Sequence, residues 1–113
     1  MFGFGKGKSH RELQPLELKE MITEGSALLI DVREPDEFVA GHIAGAVNIP
    51  LSIFSPRNVP DAGGRTIVLQ CAGGKRSGMA LDRCAQAQAA IDTHLGGGIG
   101  AWKNAGLPIV SGE

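Results

Sequence analysis

Apolar positions fall into short continuous runs separated by glycine, proline and acidic residues, and these runs set the expected architecture. Pro15 heads Leu16, Leu18, Met21 and Ile22 at a place where a helix tolerates proline, and Gly25 closes that helix. Ala27-Leu28-Leu29-Ile30-Asp31-Val32 follows without alternation, as expected of a strand covered on both faces. Glu34-Pro35-Asp36-Glu37-Phe38 puts proline at a first helical position with acids in the first turn, and Gly41 ends this second helix. Ala46-Val47-Asn48-Ile49 predicts a short strand before Pro50, and residues 51–64, with Pro56, Pro60 and Ala62-Gly63-Gly64, predict a loop holding at most one turn of helix. Thr66-Ile67-Val68-Leu69-Gln70 is β-branched and apolar, hence a strand. Alanine-rich Ser77 to Ala90 predicts a helix, Ile91 to Leu95 a weaker strand interrupted by Asp92, and the residues after Gly96-Gly97-Gly98 a last short helix carrying Trp102 and stopped by Gly106-Leu107-Pro108.

Strand and helix alternate along the chain. The expectation is an α/β fold: a single parallel sheet with helices on both faces, joined by right-handed crossovers. The 113 residues fit one domain, expected over residues 10–113, with residues 1–9 as a flexible Phe/Gly leader.

Charge changes the picture by exclusion. Eleven Lys and Arg against twelve Asp and Glu give a net charge of −1, which supplies no field to draw in nucleic acid or an anionic membrane. No apolar run approaches the ~18 residues of a membrane span, and two cysteines are too few for a disulfide framework. A cytoplasmic, reducing setting follows as the expectation, with the protein a monomer. Histidines at 10, 42 and 94 have no metal-ligand spacing, so neither metal nor cofactor is expected. Glycine is the outlier, 17 of 113 or about 15% against an ordinary ~7%.

Several of those glycines surround the chemistry. Cys71 stands at the carboxyl end of the β-branched strand Thr66-Gln70, and Cys71-Ala72-Gly73-Gly74-Lys75-Arg76-Ser77 runs from there into a helix start. In open parallel sheets ligands bind beyond the carboxyl ends of strands. Two glycines let the backbone curl around a centre, so that N–H groups of Ala72, Gly73, Gly74, Lys75, Arg76 and Ser77 can converge on one anion with the helix dipole behind it. A thiolate is the anion on hand, and Lys75 and Arg76 add positive charge to lower its pKa.

With these residues in view the chain resembles the single-domain rhodaneses. Leu29-Ile30-Asp31-Val32-Arg33-Glu34 with Glu37-Phe38, then Gly41-His42-Ile43-Ala44-Gly45-Ala46-Val47-Asn48-Ile49-Pro50, are similar to that family's first signature. The Cys71 to Ser77 loop resembles its active-site loop, and Leu95-Gly96-Gly97-Gly98-Ile99 with Ala101-Trp102 and Ala105-Gly106-Leu107-Pro108 its C-terminal signature. Two features depart from the family pattern: no glycine ends the helix over Gln86 to Ala90, and Asp92 occupies a strand position. The resemblance implies about five strands and a Cys71 persulfide that takes sulfur from a donor such as thiosulfate and passes it to cyanide or a thiol. Arg76 and Lys75 would then bind the anionic donor.

Neighbouring residues receive plainer roles. Asp31 is expected to hold loop N–H groups or Arg33 rather than act as a base, and His42 to be a hydrogen-bonded turn histidine. Cys84 is expected to pack beside Ala80 and Ala87, and Trp102 to anchor the core. Two other functions stay open: a docking module that accepts sulfur from a relay protein, and a cysteine phosphatase. Phosphatases of related fold carry five residues between cysteine and arginine, whereas four separate Cys71 from Arg76, and Gln70 stands where they have histidine.

Overall fold

The computed structural model describes residues 10–113, so the leader expected over residues 1–9 lies outside it. The elements run β1 (Arg11–Leu13), α1 (Pro15–Glu24), β2 (Ala27–Asp31), α2 (Pro35–Ala40), β3 (Val47–Asn48), β4 (Thr66–Gln70), α3 (Lys75–Gln86), β5 (Thr93–Leu95) and α4 (Gly98–Asn104). All five strands pair in parallel, in the order β1-β5-β4-β2-β3. Their carboxyl ends therefore share one edge of the sheet.

Alternation along the central strands divides the core. Leu28 and Ile30 of β2 and Leu69 of β4 pack with Ala80, Leu81 and Cys84 of α3 and with Phe54. Leu29 of β2 and Val68 of β4 pack on the other face with Leu18 of α1 and Ile99 and Trp102 of α4. From β2 the chain moves outward to β3, returns to β4 on the other side of β2, and continues outward to β5. The reversal between β2 and β4 is the place where such sheets open a crevice, and β4 ends beside Cys71.

Several boundaries differ from the sequence reading. β2 stops at Asp31 rather than Val32, and the strand expected over Ala46–Ile49 contracts to Val47–Asn48. The loop over 51–64 contains two single helical turns, Leu51–Ile53 and Pro56–Asn58. β5 begins at Thr93; just before it the Asp92 carbonyl accepts from the Arg11 N–H and its carboxylate takes the Thr93 hydroxyl. α3 starts at Lys75, where Gly74 caps it, and ends at Gln86 rather than Ala90. There Gln88 adopts the left-handed φ of 58° that a glycine would ordinarily supply, and the Ala89 N–H returns to the Cys84 carbonyl at 2.8 Å. Ala87 is consequently exposed and does not pack beside Cys84, whose buried neighbours include Ala80. β1 escaped the sequence reading because two of its three residues are exposed and charged.

Candidate active site

Cys71 follows β4 directly, and the chain turns there so sharply that its own backbone meets the sulfur. Gly74, at φ 106°, makes the turn into α3 that a side chain would strain. The N–H groups of Gly74 and Ser77 donate to Cys71 Sγ at 3.1 and 3.3 Å. Ser77 Oγ lies 3.6 Å from the same sulfur.

A second turn holds this loop from behind. The Ile99 N–H donates to the Cys71 carbonyl at 2.8 Å and the Gly100 N–H to the Ala72 carbonyl at 3.0 Å, while Gln70 Nε2 also reaches the Cys71 carbonyl at 2.7 Å. Gly98 at φ 61° permits that approach: a Cβ there would collide with the Cys71 carbonyl oxygen and the Ala72 peptide.

Burial alone would raise the Cys71 thiol, since only 1% of the residue is exposed. The Ser77 hydroxyl and the N–H groups of Ser77, Gly74 and Gly73 outweigh it, and the pKa lies below the ordinary thiol value. Cys84 has burial without such donors and is pushed up to about 11. Both cysteines are free.

The cations of the loop diverge. Lys75 is exposed at the start of α3. Arg76 lays its guanidinium on Glu37, with Nη1 donating to Oε1 at 2.7 Å and Nη2 to Oε2 at 3.0 Å. Glu37 Oε1 also accepts the Glu34 N–H at 2.9 Å, so α2 presents this carboxylate in a fixed pose.

Asp31 and His42 are likewise engaged. Asp31 is fully buried and receives the Arg33 N–H, Nε and Nη2, the last at 2.7 Å, while Arg33 Nη2 also donates to the Gly41 carbonyl. This fork ties β2 to the end of α2. His42 Nδ1 donates to the Phe38 carbonyl at 2.8 Å and its ring stacks on Phe38 at 3.7 Å between centroids. Among the described residues, no three His, Cys, Asp or Glu side chains are grouped so as to hold a metal ion, and no helix is long and apolar enough to cross a membrane.

Two residues at the site were not singled out by sequence. In the sequence Glu37 stands out as a first-turn acid and as part of the first signature, with no sign of its bond to Arg76. In the sequence His94 bears only on the question of a metal ligand, yet its Nδ1 lies 2.7 Å from Ser77 Oγ. Its place in β5, one residue before the carboxyl end of a strand that neighbours β4, is the signal that finds it.

Comparison with known proteins gives this arrangement a context. The family model "Rhodanese-like domain" matches residues 14–105. A protein named "Sulfurtransferase" from Allochromatium vinosum is 36% identical over 76% of this chain and 80% of its own length. An uncharacterized protein of Synechocystis is 44% identical over 87% of this chain, which spans only 55% of that relative. A rhodanese-related protein from Thermoplasma volcanium superposes with a TM-score of 0.75 at 30% identity, covering 89% of this chain and 98% of that structure.

Proposed function

The chain belongs to the rhodanese-like domain family, and we propose that it is a sulfurtransferase working through a persulfide on Cys71. The thiolate attacks the outer sulfur of a donor such as thiosulfate; the new S–S bond forms as the old one breaks, and sulfite leaves with the electron pair. A thiophilic acceptor, cyanide or a thiolate, then takes the outer sulfur and returns Cys71 to its thiolate. Two half-reactions on one sulfur make the kinetics ping-pong. The observation that carries this reading is the pair of backbone N–H groups aimed at Sγ, which can stabilise thiolate and persulfide alike.

The four-residue spacing between Cys71 and Arg76 favours a single sulfur atom over a tetrahedral phosphate, which is the argument against a phosphatase. Arg76 in turn favours a second reading of the donor. Its fork is already on Glu37, so a dianion must compete for it, whereas a persulfide delivered by a sulfur-relay protein need not. The two free cysteines support placement in the cytoplasm.

Intact-protein mass spectrometry and steady-state kinetics test the assignment. Thiosulfate treatment should add one sulfur atom to wild type and none to Cys71→Ser, and iodoacetamide near neutral pH should label Cys71 ahead of Cys84. Arg76→Ala should lower kcat/KM for thiosulfate by roughly ten- to a hundredfold, and Lys75→Ala by less, because a solvated ammonium is screened. An active Cys71→Ser protein sinks the persulfide mechanism. Faster loading from a cysteine desulfurase persulfide than from thiosulfate would assign the donor to a protein.

A further inference from the structure

Ser77 Oγ stands between two titratable side chains, 3.6 Å from Cys71 Sγ and 2.7 Å from His94 Nδ1. A hydroxyl has one proton to give. That of Ser77 can go to His94, to the Gly74 carbonyl at 3.2 Å, or to an ionised Cys71. His94 is itself buried, with 5% exposed, and its Nε2 faces Glu12 Oε2 at 3.5 Å. The Glu12 side chain is 61% exposed. A line of polar atoms therefore runs from the buried sulfur, through Ser77 and both nitrogens of His94, to a carboxylate in solvent.

Building on the reading of Cys71 as nucleophile, we propose that His94 is a positioning residue that takes up the thiol proton through Ser77 and so turns the Ser77 hydroxyl onto the thiolate. In the resting form the Cys71 S–H donates to Ser77 Oγ, the Ser77 O–H donates to bare His94 Nδ1, and Nε2 keeps its hydrogen toward Glu12. On ionisation the S–H bond breaks as a new O–H forms on Ser77, and the former Ser77 O–H breaks as an N–H forms at Nδ1. Thiol and imidazole become thiolate and imidazolium, with no proton gained or lost. The Nε2 proton then passes to water beside Glu12. Reversal of the chain leaves Ser77 O–H as a further donor to the sulfur, beside the N–H groups of Gly74 and Ser77.

The surroundings suit a transient proton carrier. Burial lowers the His94 pKa from its ordinary value; Glu12 of β1 pulls upward, and His10, with ring centroids 6.1 Å apart, pushes downward. His10 is in turn held by Asp82 of α3 at 2.9 Å. A base weakened in this way releases its proton readily once it has taken it.

The test is an NMR titration of the His94 ring in the full chain, with Cys71 free and after alkylation by iodoacetamide, repeated in Ser77→Ala. Coupling is reciprocal, so alkylation should move the His94 midpoint by about half a pH unit or more, and the movement should vanish without the hydroxyl. The pH profile of the alkylation rate should bend twice in wild type and once in His94→Gln, with labelling at pH 7 about three- to tenfold slower in the variant. Glutamine keeps a hydrogen-bonding group but cannot titrate, so a merely structural His94 would leave the profile unchanged. A His94 midpoint indifferent to alkylation, or a coupling that survives Ser77→Ala, overturns the relay. These readouts require no sulfur transfer: coupling in a protein that no donor loads would remove the sulfurtransferase reading and leave the relay standing.

Discussion

Glu37 performs two tasks with one carboxylate, capping α2 through the Glu34 N–H and holding both terminal nitrogens of Arg76. The hydrogen bonds from Arg76 are the main cause of its low pKa, about 2 against the ordinary 4.5. A carboxylate whose folded pKa is depressed stabilises the fold above its unfolded value, and that stability fades as pH falls from about 4.5 toward 2. Because both side chains are about a third exposed, screening keeps the effect within ~1 kcal/mol. Glu37→Gln should therefore flatten the fall in urea midpoint between about pH 5 and pH 3, within the window set by the folded and unfolded carboxyl. At neutral pH it should also lower the KM for thiosulfate by roughly three- to tenfold, since the fork of Arg76 is freed for the donor. An unchanged KM would mean that Arg76 does not meet the donor. Sequence made the loop legible because cysteine, glycines and cations are contiguous there. The partner of Arg76 lies 39 residues earlier, and only the strand order brings α2 beside α3.

At the scale of elements, the errors in reading came from missing stop signals. α3 buries Ser77, Ala80, Leu81 and Cys84 on one stripe, but its alanine-rich continuation has good helix propensity and no glycine, so it read as four residues too long. The helix ends because Gln88 takes a left-handed conformation, at a cost of about 1 kcal/mol for a residue with a side chain. Gln88→Gly should remove that strain and, after the added freedom of the unfolded chain, stabilise the protein by about 0.5 kcal/mol at most. Urea unfolding reads it as a higher midpoint at constant slope. The rate of Cys71 alkylation should not change, because Gln88 is exposed at the far end of α3 from the loop. A lower midpoint would show that the side chain makes a contact worth more than its strain. β1 was missed for the opposite reason: three residues with a single buried leucine carry no pattern to detect, and pairing with β5 defines the strand.

Across the whole molecule, the sheet separates two packed faces and the Cys71 loop draws on both. α3, on one face, supplies the Ser77 donors; the turn into α4, on the other, supplies the Ile99 and Gly100 N–H groups that fix the Cys71 and Ala72 carbonyls. The continuous apolar runs made this two-sided burial legible, and the glycines marked where backbone approaches backbone. Which turn braces which loop was not legible, because it depends on β5 lying next to β4. Trp102 tests that bracing. It is buried on α4, with Nε1 donating to the Pro108 carbonyl at 2.8 Å. Trp102→Phe removes ring volume and leaves that carbonyl without its donor, which should cost about 2–3 kcal/mol. Leu18→Ala, in the same cluster but on α1, should cost a similar amount of about 2–5 kcal/mol. If α4 carries the cradle, Trp102→Phe should slow Cys71 alkylation at pH 7 while Leu18→Ala leaves it near wild type. Unfolding followed by circular dichroism equates the two stability losses, and peptide mapping reads the labelling. Equal slowing in both variants would show that the loop answers to the stability of the whole fold rather than to the turn behind it.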